Sequence, residues 1–398
     1  MITELFKSQS DALFERLVSI RRHIHSNPEL SFEEHNTAKY VESMLNEWGI
    51  PNQRMAGTGV IGLIEGAQSG KTIALRADLD ALPIIEKNDV PYKSQNEGVM
   101  HACGHDVHTT CLLGAAYILN QNKDKIKGKI KLIFQPGEEK LPGGASLLIK
   151  EGVLGNPKVD MIVGQHVMPL IDVGSVGFRE GLYMASTDEI YLTIKGKGGH
   201  GAMPHLGIDP VTIAATLIVE LQQIVSRFCP PHIPCVLTFG KVQANGATNV
   251  IPDDVYLEGT FRTLDEEWRA KAHNLIHDFV KNTVEARGAS FDLNIEHGYP
   301  FLKNNPELTR KCRASALKYM GEEKVEELGI WMAAEDFAWY SHQVPACFYR
   351  LGIRNQAKGI VNNVHNPQFD IDEQAIRTGA GLMAFIAIDV LDAPTIVS

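Results

Sequence analysis

The sequence lacks long hydrophobic runs, tandem repeats and low-complexity tracts. No segment approaches 18 uninterrupted apolar residues, the length at which a segment becomes a candidate for a membrane-spanning helix. Residues 1–17 carry acidic side chains where a secretory signal would have an apolar stretch. These absences predict a cytoplasmic protein with no membrane partner.

Basic charge and disulfide-forming cysteine are also scarce. The formal net charge is −10, which argues against nucleic acid as a partner, because such proteins need a basic face. Six cysteines in 398 residues, without a signal sequence, are better interpreted as reduced thiols than as a disulfide framework. The length exceeds what one hydrophobic core usually supports, so two domains are expected.

Strand and helix patterns alternate in the first part of the chain. The predicted strands are 72–75, 130–134 and 161–163, and the predicted helices are 107–119 and a second one that follows Gly143-Gly144 and ends at Ile149. This β-α-β order predicts an α/β domain with a mixed, largely parallel sheet and helices on both faces. A strand at 347–351 and helices at 306–319 and 374–390 continue the pattern near the end of the chain.

Two further helices are predicted before the first strand. One runs from about Asp11 to His25. Ser31-Phe32-Glu33-Glu34 has the form of a capping box, and apolar residues then recur at helical spacing until Gly49. The sequence therefore predicts a second helix, with its start fixed by Ser31 and Glu34.

The pattern changes at about Asp188. The elements that follow have the order β-α-β-β-α-β, typical of a ferredoxin-like sandwich. Their predicted bounds are 190–194, 210–225, 235–242, 254–262, 266–286 and 291–295. This predicts an inserted α+β domain at 187–297, within a first domain formed by 1–186 and 298–398.

Polar side chains follow the predicted strands of the first domain. Asp80 comes after the first strand, Glu138 and Glu139 after the second, and His166 at the end of the third. In parallel sheets, ligands bind outside the carboxyl ends of the strands. Separate elements should therefore bring these side chains to one edge of the sheet.

Cys103 and His105 lie two residues apart, in a segment where a predicted loop leads into a helix. For an isolated pair of this kind, a buried thiol beside a structural histidine is the usual interpretation. A second interpretation makes Cys103 a nucleophile and His105 its base. Neither needs further acids and histidines, whereas a two-metal site does, so we favour metal ligation.

Glu138, Glu139, His166 and His365 supply the remaining donors. An adjacent pair of glutamates is often only a solvated turn, and a lone histidine more often a hydrogen-bonding group than a ligand. At the end of an inner strand, however, one carboxylate can bind metal while the other accepts a proton from water. Asp80 could either orient a ligand histidine or cap the strand end.

Polar candidates also occur in the inserted domain. His200 lies in a glycine-rich loop, Gly198–His205, whose glycines ordinary turn chemistry would also explain. Asn249 and Arg262 could hold a carboxylate, the arginine as a bidentate fork.

Taken together, these motifs resemble a known family. The matching segments are 22–25, 28–31, 76–83, 100–108, 135–139, 199–205, 249–253, 334–337 and 363–367. The chain resembles the dinuclear metallohydrolases of the aminoacylase/carboxypeptidase type. Within them it is similar to the amidohydrolase branch, which includes hippurate hydrolase, N-acyl-L-amino-acid amidohydrolases and plant hydrolases of auxin–amino-acid conjugates.

The resemblance implies a zinc-peptidase-like catalytic domain that holds two divalent transition-metal ions (Zn, Mn, Ni or Co). It implies that Glu138 is the general base, that His200 stabilises the oxyanion, and that Asn249 and Arg262 hold the substrate carboxylate. The implied metal ligands are Cys103 in the bridging position, His105, Glu139, His166 and His365. It further implies that the inserted domain is a lid that mediates a homodimer or homotetramer.

The expected activity is hydrolysis of the amide bond of a small N-acyl amino acid. A dipeptidase or metallo-carboxypeptidase with the same centre is the nearest alternative, and a panel of dipeptides and acylated amino acids would separate the two. A thiol hydrolase built on Cys103 and His105 would survive chelation but not alkylation. A non-catalytic metal-binding protein would hold metal without turnover.

Overall fold

A computed structural model describes residues 2–392, and the chain divides into two compact units. The first consists of Met1–Tyr183, Lys303–Ile330 and Asp336–Ser398, and the second of Met184–Leu302 and Trp331–Glu335. The predicted insertion at 187–297 falls in the second unit. The short segment Trp331–Glu335 joins that unit without any signal in the sequence pattern.

In chain order, the helices of the described residues are α1 (Ile2–Ser26), α2 (His35–Glu47), α3 (His105–Gln121), α4 (Gly144–Lys150), α5 (Pro210–Gln223), α6 (Glu266–Glu285), α7 (Pro306–Met320), α8 (Ala338–Ser341) and α9 (Gln374–Asp392). The strands are β1 (Asn52–Met55), β2 (Gly59–Glu65), β3 (Gln68–Asp78), β4 (Lys127–Gln135), β5 (Met161–Asp172), β6 (Val176–Phe178), β7 (Gly181–Met184), β8 (Asp188–Lys195), β9 (Gly199–His200), β10 (Cys235–Gln243), β11 (Val250–Ile251), β12 (Asp254–Thr263), β13 (Ser290–His297), β14 (Leu302–Asn304), β15 (Val325–Glu327) and β16 (Ala346–Arg354).

The first unit is built on one mixed sheet. Its strand order is β1-β2-β4-β3-β5-β16-β6-β15. The central strands β4, β3, β5 and β16 pair in parallel, whereas β1, β2 and β6 add antiparallel pairs toward the edges. The predicted largely parallel sheet is therefore confirmed.

Helix α9 is the central helix of this unit and packs against α1, α3 and α7. Most of its residues are buried, which explains its nearly continuous apolar sequence. By length and composition alone, the segments Pro210–Phe228 and Gln374–Asp392 could each cross a membrane. In α9 that composition serves the core, because most of the helix is buried within the protein.

The capping box predicted at Ser31–Glu34 is wrong. Helix α2 begins at His35, and Glu34 precedes it without a side-chain cap. The carboxylate of Glu29 instead accepts hydrogen bonds from the amides of Asn36 and Thr37. The side chains of Ser31 and Glu34 are engaged elsewhere in the unit, as described below. The predicted stop is correct, since Gly49 follows the helix at φ +67°.

The second unit has the predicted β-α-β-β-α-β order. Its main sheet is antiparallel, with strand order β10-β12-β8-β13, and strands β9 and β11 form a separate two-stranded ribbon. Helices α5 and α6 pack on each other and on the sheet, around a core that includes Leu192, Leu217, Phe261, Trp268 and Ile276. This is a ferredoxin-like arrangement.

A buried ion-pair cluster anchors the start of β8 to α6. The carboxylate of Asp188 accepts hydrogen bonds from Arg269 Nε and Nη2, at 2.9 and 2.6 Å, and lies 2.7 Å from His273 Nε2. Burial opposes ionisation, but the hydrogen bonds from His273 and Arg269 outweigh it and lower the pKa of Asp188 to about 2. Asp188 is therefore ionised at neutral pH.

Replacing Asp188 by alanine should destabilise the second unit, because it removes the buried carboxylate that pairs with Arg269 Nε and Nη2 and leaves the buried guanidinium with the partly exposed Glu266. We expect a loss of about 3–5 kcal/mol in the free energy of unfolding at pH 7, measured by denaturant titration. Since the pKa of Asp188 is lowered on folding, its contribution is complete at neutral pH and fades as the pH falls toward 2.

A matched control is Asp292→Ala, which breaks the exposed pair with Lys195 in the same unit. It should cost only about 0–1 kcal/mol. Equal losses from the two substitutions would show that the Asp188 cluster does not stabilise the unit.

Candidate metal centre

The polar residues that follow β3 and β4 lie at the same edge of the sheet. Strand β3 ends at Asp78, which pairs in register with Gln135, the last residue of β4. Asp80 follows the first of these ends, and Glu138 and Glu139 follow the second, as predicted. The parallel register thus places all three carboxylates at the carboxyl end of the central strands.

The placement of His166 at the end of a strand is wrong. Strand β5 continues to Asp172, so that His166 lies near the middle of the strand. The extension exists because β16 continues to pair alongside, with Val167 opposite Leu351 and Asp172 opposite Arg354. The side chain of His166 nevertheless joins the other predicted ligands.

Gly104 brings Cys103 and His105 to β5. It precedes α3 at φ +84°, a left-handed conformation that favours glycine. A Cβ atom at this position would lie 2.6 Å from a methyl carbon of Val167. The close approach therefore requires glycine, and it sets the two candidate ligands beside the strand that carries His166.

The candidate ligand atoms converge in the first unit. Cys103 Sγ lies 3.4 Å from His166 Nε2, and His365 Nε2 lies 3.1 Å from Glu139 Oε1. His105 Nε2 is 4.0 Å from an oxygen of Glu138. The five predicted ligands and Glu138 are thus neighbours in space, although Cys103 and His365 lie far apart in the sequence.

Two three-ligand groups share the sulfur of Cys103. One contains Cys103, His105 and His166, and the other Cys103, Glu139 and His365; within each group the ligand atoms lie within 4.8 Å of one another. A thiolate common to two groups is the arrangement that a bridged pair of ions needs. The donor set of one sulfur, three imidazoles and a carboxylate suits divalent transition metals.

The ligand atoms of Asp78, His105 and His108 also lie within 4.8 Å of one another. Asp78 and His108 already have other partners, however. The carboxylate of Asp78 lies 2.6 Å from both Arg76 Nη1 and His108 Nδ1, and the amide of Val167 donates to His108 Nε2. Asp78 and His108 therefore support the centre rather than ligate an ion.

One ring nitrogen of His105 is in a position where a cation could bind. Its Nδ1 contacts Asp80 Oδ1 at 3.2 Å, whereas its Nε2 is fully buried without a hydrogen-bond partner. Burial lowers the pKa of His105, but Asp78 and Asp80 raise it more, to about 10. A metal ion at Nε2 would satisfy this orphaned atom and replace the proton.

The electrostatics of Cys103 and His166 agree with this. Burial, with Glu139 and Glu138 nearby, raises the pKa of the Cys103 thiol well above its usual value. Burial, with His108 and Arg350 nearby, holds the pKa of His166 well below its usual value, which leaves a neutral imidazole ready to bind metal. Divalent ions would offset the carboxylate charge and stabilise the Cys103 thiolate.

Sequence reasoning gave no role to a buried network beside Glu138. Arg76 Nη2 donates to Asp336 Oδ1 at 2.7 Å and Arg76 Nε to Gln135 Oε1 at 3.0 Å. The backbone amide of Asp336 lies 3.3 Å from Glu138 Oε1 and helps to orient that carboxylate. The available signal was an arginine within an otherwise apolar strand, which indicates a buried charge that needs partners.

The candidates of the second unit separate into two places. His200 in β9 pairs with Val250 in β11, and the amide of Gly201 donates to the carbonyl of Asn249 at 2.8 Å, so His200 and Asn249 are neighbours. Both are exposed. Arg262 lies instead on β12 of the main sheet, where it donates to Thr260 Oγ1 and lines a cavity of about 390 Å³.

Comparison with known proteins agrees with this geometry. Residues 74–389 match the model of the peptidase family M20/M25/M40. The chain belongs to that family. It is therefore a hydrolase, and the resemblance drawn from its motifs is confirmed.

Individual relatives cover nearly the whole chain. An N-acetyl-L-cysteine deacetylase of Bacillus subtilis is 42% identical over 92% of this chain and 85% of its own length. Thermostable carboxypeptidase 2 of Saccharolobus solfataricus is 39% identical over 97% of this chain and 98% of its own. The crystal structure of Bacillus subtilis YXEP, a dinuclear metal-binding peptidase of the M20 family, covers 96% of this chain and all of its own, with 33% identity and a TM-score of 0.81. With the two ligand groups, it supports a centre for two divalent metal ions.

Metal affinity should rise with pH, because binding must displace a proton from the Cys103 thiol and from His105, whose pKa values are both raised. We expect the apparent affinity for Zn²⁺, measured by chelator competition at pH 6.5, 7.5 and 8.5, to increase at each step. Cys103→Asp keeps an anionic donor at this position but carries no thiol proton, so the affinity of the variant for Zn²⁺ should depend less steeply on pH. A slope unchanged in this variant would exclude Cys103 as a ligand.

Proposed function

We propose that the protein is a metal-dependent hydrolase that cleaves the amide bond of N-acyl amino acids and releases a carboxylic acid and a free amino acid. The observation that carries this proposal is the position of the Glu138 carboxylate, beside two ligand groups that share one sulfur. The deacetylase relative supports the acyl-amino-acid class of substrate.

We assign Cys103, His105, Glu139, His166 and His365 as the ligands, with Cys103 between the two ions. The ion types proposed are Zn, Mn, Ni or Co, since these donors do not separate them. When bound, two divalent ions polarise a carbonyl group and lower the pKa of water, which makes hydrolysis feasible near neutral pH.

Glu138 is the general base in this proposal. It is 8% exposed in its side chain, and its carboxylate lies near His105 on one side and the amide of Asp336 on the other. From this position it accepts a proton from the attacking water and then donates it to the leaving amine. Asp80 acts through His105, because its contact with Nδ1 leaves Nε2 directed toward the ligands.

His200 is the proposed donor to the oxyanion. Its Nδ1 accepts a hydrogen bond from the amide of Ala202 at 3.1 Å. An imidazole that accepts at Nδ1 carries its proton at Nε2, which is therefore available to donate to a developing negative charge. Asn249 and Arg262 are proposed to hold the substrate carboxylate.

The alternatives differ in what they require. A carboxypeptidase or dipeptidase would use the same centre, and the thermostable carboxypeptidase relative keeps this candidate open. A thiol hydrolase needs a reactive thiolate, whereas burial raises the pKa of Cys103. A non-catalytic metal protein would have no use for the Glu138 carboxylate.

Glu138→Gln tests the proposed mechanism. The variant should keep two ions per chain, because Glu138 is not one of the five assigned ligands, and should lose at least about 100-fold in kcat, since general acid–base catalysis contributes that much. Hydrolysis of hippurate and N-acetyl amino acids and metal content by mass spectrometry measure the two quantities. Near wild-type turnover would remove Glu138 from the mechanism.

A substrate panel tests the proposed class. Wild-type protein loaded with each candidate metal should hydrolyse N-acetyl and N-benzoyl amino acids faster than free dipeptides of the same C-terminal residue. The reverse order would establish the peptidase alternative. Activity that survives exhaustive chelation but not alkylation would establish the thiol hydrolase.

The proposed setting is a cytoplasmic homodimer or homotetramer assembled through the second unit. The resemblance supports this, together with apolar side chains exposed on and after α5: Val219 is 71% and Phe228 45% exposed. In light scattering after gel filtration, the wild type should be at least a dimer, and Val219→Asp should shift it toward the monomer. A monomeric wild type would overturn the assembly.

A further inference from the structure

The proposed base lies between two backbone amides, and a buried carboxylate holds each of them. The amide of Gly137, which precedes Glu138, donates to Glu34 Oε1 at 2.7 Å. The amide of Glu139, which follows Glu138, donates to Asp80 Oδ2 at 2.9 Å. The backbone is thus fixed on both sides of the residue that moves the proton.

The same two carboxylate oxygens also receive donors from the segment Ser31–Phe32. The amide of Phe32 donates to Glu34 Oε1 at 2.9 Å, and Ser31 Oγ donates to Asp80 Oδ2 at 2.6 Å. Each oxygen therefore joins residues 31–32 to residues 137–139. Two independent oxygens that connect the same pair of segments restrict their relative position far more than one would.

One of the two segments has an unfavourable backbone conformation, and the segments also pack directly on each other. Phe32 has φ 68°, in the left-handed region that non-glycine residues rarely occupy. Gly137 has φ +52°, and a Cβ atom there would lie 2.3 Å from the ring of Phe32. The ring thus packs directly on the backbone that carries the base.

Glu34 is an unusual residue for a purely structural position. It is fully buried, and its three donors are the amides of Phe32 and Gly137 and the hydroxyl of Thr58. Burial and the nearby carboxylate of Asp80 raise its pKa. A buried carboxyl group without a cationic partner is expensive, so packing alone would be better served by an apolar side chain.

We propose that Glu34, assisted by Ser31, is a positioning residue that holds the backbone of residues 137–139 and thereby aims the carboxylate of Glu138. The proposal rests on the proposed function, in which Glu138 transfers the proton. Glu34 acts through the amide of Gly137 and does not itself need to contact substrate or metal. The oxygen that accepts this amide carries the role.

Two substitutions separate the acceptor from the rest of the side chain. Glu34→Gln retains an oxygen that can accept from Gly137 and Phe32, and its amide group can donate to the hydroxyl of Thr58. Glu34→Leu removes every acceptor at similar volume. Ser31→Ala removes only the donor to Asp80 and keeps the test available if Glu34→Leu does not fold.

Glu29→Leu is the matched control. Glu29 lies five residues earlier and also accepts several hydrogen bonds, but from Asn36 and Thr37 at the start of α2. Within residues 2–392, the Glu29 side chain forms no hydrogen bond with residues 137–139. Its loss should lower thermal stability without changing kcat.

In metal-loaded enzyme we expect Glu34→Leu to lower kcat by about 100-fold, the effect of misplacing a catalytic group by about 1 Å. KM and metal content should remain within about threefold of wild type, Glu34→Gln should recover most of kcat, and Ser31→Ala should fall between. In Glu34→Leu, kcat should fall more for an N-acyl amino acid than for the matched ester. An amine must be protonated before it leaves, whereas an alkoxide depends less on protonation.

Hydrogen–deuterium exchange supplies a readout that does not depend on activity. Peptides that contain Gly137–Glu139 should exchange faster in Glu34→Leu and Ser31→Ala, but not in Glu29→Leu or Glu34→Gln. Unchanged exchange, an equal loss for amide and ester, or a folded Glu34→Leu with wild-type kcat would each overturn the proposal. A wild type inactive on all N-acyl amino acids would instead refute the proposed function, and the exchange comparison would still test the restraint.

Discussion

The carboxylate of Asp80 is the constraint on which the rest of the centre depends. One of its oxygens contacts His105 Nδ1, and the other receives Ser31 Oγ and the amide of Glu139. A single side chain thus orients one proposed ligand, fixes the backbone of another and joins both to the N-terminal segment. Its position just beyond β3 follows from the parallel register of β3 with β4, so the chemistry is set by the topology of the sheet.

The centre concentrates buried groups that are costly in isolation. Asp78 and Asp80 lie beside the imidazole of His105, whose Nε2 has no hydrogen-bond partner, and the thiol of Cys103 lies near Glu139 with its pKa raised. The binding of two divalent ions by the proposed ligands would relieve each of these costs. Without ions, the buried charges at this site are therefore unfavourable for folding, and the apolar core of the unit offsets their cost.

Much of this architecture follows from the sequence because its signals are local. Apolar strands such as Ile130–Phe134, the helix after His105 and the alternating order of the second unit are all carried by periodicity. Other features depend on pairing with distant partners. They are the antiparallel strands β1 and β2, the continuation of β5 beyond His166, and the segment Trp331–Glu335. The prediction of a capping box was wrong for the same reason, since Ser31 donates to the distant Asp80 and Glu34 accepts from the distant Gly137. The ligand types were readable, whereas the residues that hold them depend on long-range contacts.

The ligands differ in their access to water. His105 and His166 are buried, whereas the side chain of His365 is 52% exposed and its backbone adopts φ 63°. Solvent can therefore reach the part of the centre that contains Glu139 and His365. The part that contains His105 and His166 is covered by protein. If these residues hold the two ions as proposed, loading and loss would be sequential: the outer ion would exchange with its surroundings first, and a singly occupied species would separate the empty protein from the complete one.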